Sequence, residues 1–328
     1  MPNEAAGSTT TLPTQLGEPI SYRGITITPI FPAQDTVAEY ISYAAAAGQG
    51  FTATEVDESG SVGEVRVKNP TGSRVLLYDG EEIAGAKQDR IINVAVMVEA
   101  GDTTTIPVSC IESGRWYRES AEFRPTGRTP SPQVRRSKTL TLNLADAPLA
   151  RGRAQSAVWD AVSLKQREHG FTSGTSKHGD LIEHERPRLE EFANAFPLQP
   201  GQCGMMLGMN GNIVTVDVVS RPDVYADLHR PLLTGYMLDA LAHVDGTAAP
   251  PEAAEEFLGA LANATRTPGP SAGLGTDLRI NGAGVVGSGL ELDGELIQLT
   301  AFRVDGNSPE DERPTTRIAR PTRRGWGH

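Results

Sequence analysis

Between residues 81 and 116 the chain sets Glu81, Glu82, Lys87, Gln88, Asp89, Arg90, Cys110, Glu112, Arg115 and Trp116 among apolar runs. A glutamate in a partly desolvated, cation-lined cleft can donate or accept a proton, its pKa set by the neighbours that win. Lys and Arg suit phosphate or carboxylate groups, Arg through paired hydrogen bonds. Gln88 suits a sugar hydroxyl or an amide. Glu82, Glu112 and Lys87 are therefore the catalytic candidates, and Glu81, Gln88, Arg90, Arg115 and Trp116 the substrate-binding ones. The competing reading of the same groups is an ion-pair network that ties a loop to a sheet.

Other chemistries find less support. Lys87 and Arg115 would favour a Cys110 thiolate, yet Cys110 shares a strand face with Ile106 and Val108 and has no His near it in sequence, which reads as a buried, inert thiol. No GxxxxGK[ST] phosphate loop is present. Gly282, Gly284 and Gly287 match a dinucleotide fingerprint, but an alternating SGLELDG follows where that motif needs a helix. The six His are scattered, and His178 and His184 flank GDLIE without a ligand spacing. No zinc site is expected. The cofactor is left open, with room for a divalent cation on Glu81, Glu82 or Glu112.

Three apolar runs must position the charged groups: 75–78, 91–98 and 104–110. Ile92, Val94, Val96 and Val98 alternate as a half-buried strand. Pro107 cannot donate to a ladder, which puts an edge or a bulge there. Gly101-Asp102 predicts a hairpin between the second and third runs. The start of one then lies beside the end of the other, bringing Lys87, Gln88 and Arg90 towards Glu112, Arg115 and Trp116. The loop from 80 to 90 exceeds what a hairpin needs, and long loops on a rigid sheet are where sites are built.

LYDGEEIAGAKQDRIIN and PVSCIESGRW resemble the bacterial ARG- and rhodanese-phosphatase-superfamily-associated protein domain. The resemblance runs from about residue 20 to about residue 305, with QSAVWDAV and LTAF as fainter echoes. Asp89 stands where the family favours Asn. The resemblance implies a setting alongside ADP-ribosylglycohydrolases, in NAD or ADP-ribose metabolism.

Elsewhere the chain is read as follows. Residues 1–16 are expected to be disordered, as is the tail from 305. Residues 20–31 read as a hairpin, 36–47 as an Ala-rich helix, and 51–56 and 63–67 as strands. Residues 122–138 carry Arg124, Arg128, Arg135, Arg136 and Lys138 in a Pro-punctuated stretch, either a solvated linker or a flap that delivers guanidinium groups to a phosphate. Helices are expected at 153–169, 181–195, from Pro231, and at 252–263. Asn210-Gly211 and Asp293-Gly294 mark hairpins.

With 328 residues and a net charge of −11, a nucleic-acid coat is unsupported. Two Cys imply no disulfide framework, and no run approaches the ~20 apolar residues of a membrane span. The N-terminus carries no apolar leader, which points to a cytoplasmic protein. The sequence reads as an α+β fold, with mixed, mostly antiparallel sheets in two strand-rich halves and a helical middle, forming one domain over 17–304. The functional expectation is an enzyme, a hydrolase or transferase, on an ADP-ribose- or NAD-derived phosphorylated sugar nucleotide. The alternatives are a non-catalytic nucleotide-binding module and a module that docks a partner enzyme.

Overall fold

The computed structural model describes residues 14–58, 61–112, 117–144, 147–174 and 177–304, with backbone alone for 147–151. The described residues open with β1 (Thr14–Leu16), β2 (Ile20–Tyr22), β3 (Ile25–Pro32), β4 (Ile41–Ser42) and α1 (Tyr43–Ala47). Then come β5 (Thr52–Glu55), β6 (Glu64–Lys68), β7 (Val75–Leu77), β8 (Glu82–Gly85), β9 (Arg90–Ile92), β10 (Val96–Val98), β11 (Thr103–Cys110) and β12 (Phe123–Pro125). A helical middle holds α2 (Pro132–Leu144), α3 (Ala147–Glu168) and α4 (His178–Ala195). The second strand-rich part has β13 (Gly204–Met209), β14 (Asn212–Val219), α5 (Pro222–Ala240), α6 (Pro251–Ala262), β15 (Thr265–Pro270), β16 (Thr276–Gly282), β17 (Val285–Leu292) and β18 (Glu295–Arg303).

The fold is α+β, as expected. A nine-stranded antiparallel sheet runs β1-β3-β13-β14-β18-β17-β16-β15, with β2 also on β3. Three of its hairpins turn where both central residues take positive φ: Arg23-Gly24, Asn210-Gly211 and Asp293-Gly294. Strand alternation splits this sheet between two cores. Met205, Leu207 and Ile297 pack with α4 and α5, while Met206, Val216, Val218 and Leu299 pack with α6. Gly282, Gly284 and Gly287 belong to the β16–β17 hairpin, so the chain has no dinucleotide-type helix there.

The first half closes a six-stranded barrel, β11-β6-β5-β12-β8-β9. Ala53, Val65, Val67, Ile83, Ile92, Ile106, Val108 and Phe123 fill it. The register Cys110↔Arg90 and Val108↔Ile92 sets β9 against the end of β11, which is the neighbourhood the three apolar runs predicted. The second run is broken, however. β9 stays in the barrel, while β10 leaves it and pairs with β7 in a small sheet, β10-β7-β4. The 101–102 turn forms, but β11 pairs first with β6 and then with β9. Pro107 sits at that change of partner, where its missing N–H costs nothing.

Several expectations need correction. Residues 36–47 are helical only over α1, because Ile41 and Ser42 pair in parallel with Val75 and Leu76, and that pairing overrides Ala propensity. Ser42 then caps the short helix by accepting the Ala45 amide. Residues 14–16 form β1; the rest of the N-terminal stretch and the tail from 305 lie outside the described residues. The basic stretch is neither linker nor flap beyond residue 132. It becomes α2, and Arg135 and Lys138 are fully buried. Three helices begin earlier than expected: α4 at His178 instead of 181, α5 at Pro222 instead of Pro231, and α3 at Ala147.

Candidate functional site

Segment 78–82, at the junction of β7 and β8, lies between two charged networks. Gly80 takes φ +84, and a Cβ there would sit 2.6 Å from Arg135 Nε, so only glycine lets the chain pass α2 this closely. The first network is closed to solvent. Asp217 on β14 accepts from Arg135 Nη1 and Nη2 at 2.8 and 2.7 Å, Tyr78 Oη at 2.5 Å, Tyr236 Oη at 2.6 Å and Thr300 Oγ1 at 2.6 Å. Beside it, Asp79 pairs with Lys138 and accepts from Ser288 Oγ at 2.7 Å. Lys138 also donates to the Asn93 carbonyl at 2.6 Å. This network joins the barrel, α2, α5 and the large sheet.

The second network reaches the surface. Glu82 is held by its backbone, donating to the Arg128 carbonyl at 3.0 Å and accepting from Thr126 N at 3.1 Å. Its Oε1 takes Arg128 Nε and Nη2 at 3.0 and 2.8 Å. Its Oε2 lies 2.8 Å from His178 Nδ1, on the first residue of α4. Burial alone would raise the Glu82 carboxyl. The His178 hydrogen bond, the charge of His178 when protonated and the Arg128 charge outweigh it and bring the pKa down to about 2. An ionised carboxylate only accepts, so Nδ1 carries the proton in this pair. In the neutral ring the lone pair then lies on Nε2. His178 is 1% exposed, and Nε2 has no hydrogen-bond partner among the described residues. Gly179 makes room for the arrangement: a Cβ there would lie 2.9 Å from Arg128 Nη2.

Asp89 extends this network. Its carboxylate pairs with Lys177 Nζ at 2.9 Å and accepts from Gly85 N at 3.2 Å, while its amide donates to Glu112 Oε2 at 3.2 Å. Burial pushes the Asp89 pKa up, against the pull of Lys177. The loop that carries Asp89 is bent by left-handed backbone at Gly85 (φ 124) and at Ala86 (φ 42), an uncommon conformation for alanine. Side chains at the rim keep some solvent contact, Arg128 at 21% and Lys177 at 26%.

The sequence-expected residues divide accordingly. Glu82 is central, and Glu112 accepts the amide of Asp89. Gln88 is buried in the same loop. Lys87 turns aside and donates to the Glu58 carbonyl at 2.8 Å. Arg90 is fully buried, donating to the Val62 carbonyl at 2.7 Å and pairing with Glu55 at 3.4 Å beside Cys110. Glu81 points away from Glu82. Its Oε2 accepts from Tyr78 N at 3.1 Å, and burial, with the Asp227 carboxylate nearby, raises its pKa to about 7. Arg115 and Trp116 lie outside the described residues. Cys110 is fully buried, and that burial pushes its thiol up to about 11, the inert state expected of it.

Lys177 escaped the sequence reading, His178 entered it only as a histidine without a ligand spacing, and Arg128 only as one of the basic residues of 122–138. His178 lies 96 residues from Glu82, so no spacing could link them. The available signal was Lys-His-Gly at the head of a charged helix. Among the described residues no group of three or more His, Cys, Asp or Glu could hold a metal ion, and no described helix is long and apolar enough to cross a membrane.

Neither the curated proteins nor the solved structures contain a match to this chain. A family model does match it, over residues 13–302, and that span includes both charged networks and every strand that frames them but the last residue of β18. The chain belongs to the family of the ARG and Rhodanese-Phosphatase-superfamily-associated Protein domain.

Proposed function

We propose that this protein is an enzyme, a hydrolase or transferase, acting on an ADP-ribose- or NAD-derived phosphorylated sugar nucleotide, with His178 moving the proton. The observation that carries the reading is the buried Glu82–His178 pair. Glu82 fixes the ring and its tautomer through Nδ1, which leaves Nε2 to accept a proton from water or a sugar hydroxyl. A carboxyl held at about 2 is ionised at neutral pH and has no proton to give, so the proton-handling role expected of Glu82 passes to His178. Arg128 and Lys177, partly exposed on either side of the α4 start, are the cations best placed to meet a phosphate. Family membership supports the nucleotide class through the ADP-ribosylglycohydrolase setting that the resemblance implies.

One observation favours the non-catalytic binding module instead. His178 is almost wholly covered, so a substrate must displace part of its surroundings to reach Nε2. One experiment separates the readings: product formation and thermal shift with ADP-ribose, NAD, AMP and ribose phosphates, for wild type, His178→Asn and Glu82→Gln. A catalytic His178 predicts turnover by the wild type and a loss of about a hundredfold or more in His178→Asn, with the ligand-induced shift retained. A shift without product from any of the three proteins supports the binding module. Full turnover by a folded His178→Asn overturns the assignment.

A further inference from the structure

A cavity of about 310 Å³ opens on another part of the surface, and its walls include Tyr40, Gly72, Ser73, Arg74, Glu99 and Arg221. One wall is a stiff turn. Asn69, fully buried, donates to the Ser73 carbonyl at 2.8 Å and the Glu99 carbonyl at 2.9 Å, and Thr71 Oγ1 donates to Asn69 Oδ1 at 2.7 Å. That clamp fixes where Gly72, Ser73 and Arg74 stand. The opposite wall is Arg221, the N-cap residue of the 19-residue α5, over the ring of Tyr40. Tyr40 is itself held by Ser220 at 2.8 Å. Two guanidinium groups thus come from separate rigid supports, beside the positive end of a long helix.

The geometry points to a binding site for a small oxyanion-bearing molecule, a phosphate ester or a carboxylate no larger than a sugar phosphate, gripped between Arg74 and Arg221. Arg74 is only loosely engaged, with Nε 3.4 Å from Glu99 and Nη1 3.8 Å from Asp293. Arg221 holds Asp223 and, through Nη1, Glu39 at 2.9 Å, and the Glu39 side chain is 88% exposed. Such exposed ion pairs contribute little to stability. A ligand anion can take the place of Glu39 on Arg221 Nη1 and of Glu99 on Arg74, while Asp223 keeps Arg221 Nε and Nη2. Gly72 faces open space, with nothing within 4 Å of an added Cβ, and its φ does not demand glycine. A larger side chain at this lining residue is accommodated without straining the turn.

Calorimetric titration of the full-length protein with inorganic phosphate, ribose 5-phosphate and citrate tests this. Saturable binding of at least one probe is expected, phosphate esters and carboxylates being distinguished by which probe binds. Arg74→Ala and Arg221→Ala should each weaken it about tenfold or more. Gly72→Leu should block it while the circular dichroism spectrum stays that of wild type, and His178→Asn should leave it unchanged. No saturable binding of any probe, or affinity undiminished in Gly72→Leu, overturns the proposal.

Discussion

Replacing Asp217 by Asn would test whether the closed network holds the two strand-rich halves together. The Oδ1 position can keep Tyr78, Thr300 and Arg135 Nη2 as donors, because an amide oxygen still accepts. The Oδ2 position becomes an NH2 group facing Arg135 Nη1, a donor that cannot reverse its role. Tyr236 Oη can turn to accept; the guanidinium cannot. Arg135, fully buried, then lacks its counter-ion. Breaking one partner of a buried ion pair costs about 3–5 kcal/mol, a large share of the roughly 5–15 kcal/mol that keeps a domain folded. At about 2–4 °C per kcal/mol, the melting temperature should fall by roughly 6–20 °C. Urea unfolding at neutral pH, monitored by circular dichroism, gives the free-energy difference directly. Adding Arg135→Met should recover part of the loss, since the introduced amide can still serve the hydroxyls once no buried cation needs neutralising. A single variant within about 1 kcal/mol of wild type, or a double variant less stable than the single, would refute this account of the network.

The other two predictions concern segment 78–82. Glu81 has its folded pKa raised to about 7 by burial, above its ordinary value of 4.5, so its neutral form suits the fold. Its contribution is fully present below about pH 4.5 and is lost as pH rises through about 7, a change of roughly 3 kcal/mol. Glu81→Gln should remove that slope, and melting curves between about pH 5 and pH 8 that keep it would assign the slope elsewhere. Gly80→Ala combines a left-handed alanine with a Cβ 2.6 Å from Arg135 Nε, and should cost at least about 2 kcal/mol in the same urea assay.

Local rules made much of the fold legible. The Arg23-Gly24, Asn210-Gly211 and Asp293-Gly294 turns force positive φ and so specify their hairpins wherever the rest of the chain goes. Along β14 the alternation of Val216 and Val218 sets Asp217 on the opposite face of the strand. It could not show that the opposite face was also buried, because that burial comes from α2 and α5 packing over it. The same blind spot affected Arg135 and Lys138: a run of basic residues reads as solvated unless carboxylates far along the chain are known to meet it. Asp217 and Asp79 lie 82 and 59 residues away. The 80–116 stretch was located by density of charge alone. Which of its charges face each other depended on strand direction, so Glu82 and Asp89 came together while Lys87 and Arg90 turned elsewhere.

Segment 78–82 explains why these charges are so closely set. Five consecutive residues serve three surroundings. Tyr78 and Asp79 are anchored in the closed network, Gly80 passes Arg135 at contact distance, and Glu81 folds back on the Tyr78 amide. Glu82 alone reaches His178. A carboxylate orients an imidazole only if its own backbone is fixed, and here the backbone is fixed at both ends, by Asp217 and Lys138 before it and by Thr126 and Arg128 beside it. Neighbouring glutamates therefore titrate far apart, at about 7 and at about 2, because one is buried beside another carboxylate and the other beside a guanidinium and an imidazole. The proposed proton transfer requires an ionised Glu82 to hold His178, and Glu81, turned back onto the Tyr78 amide, does not compete for the ring.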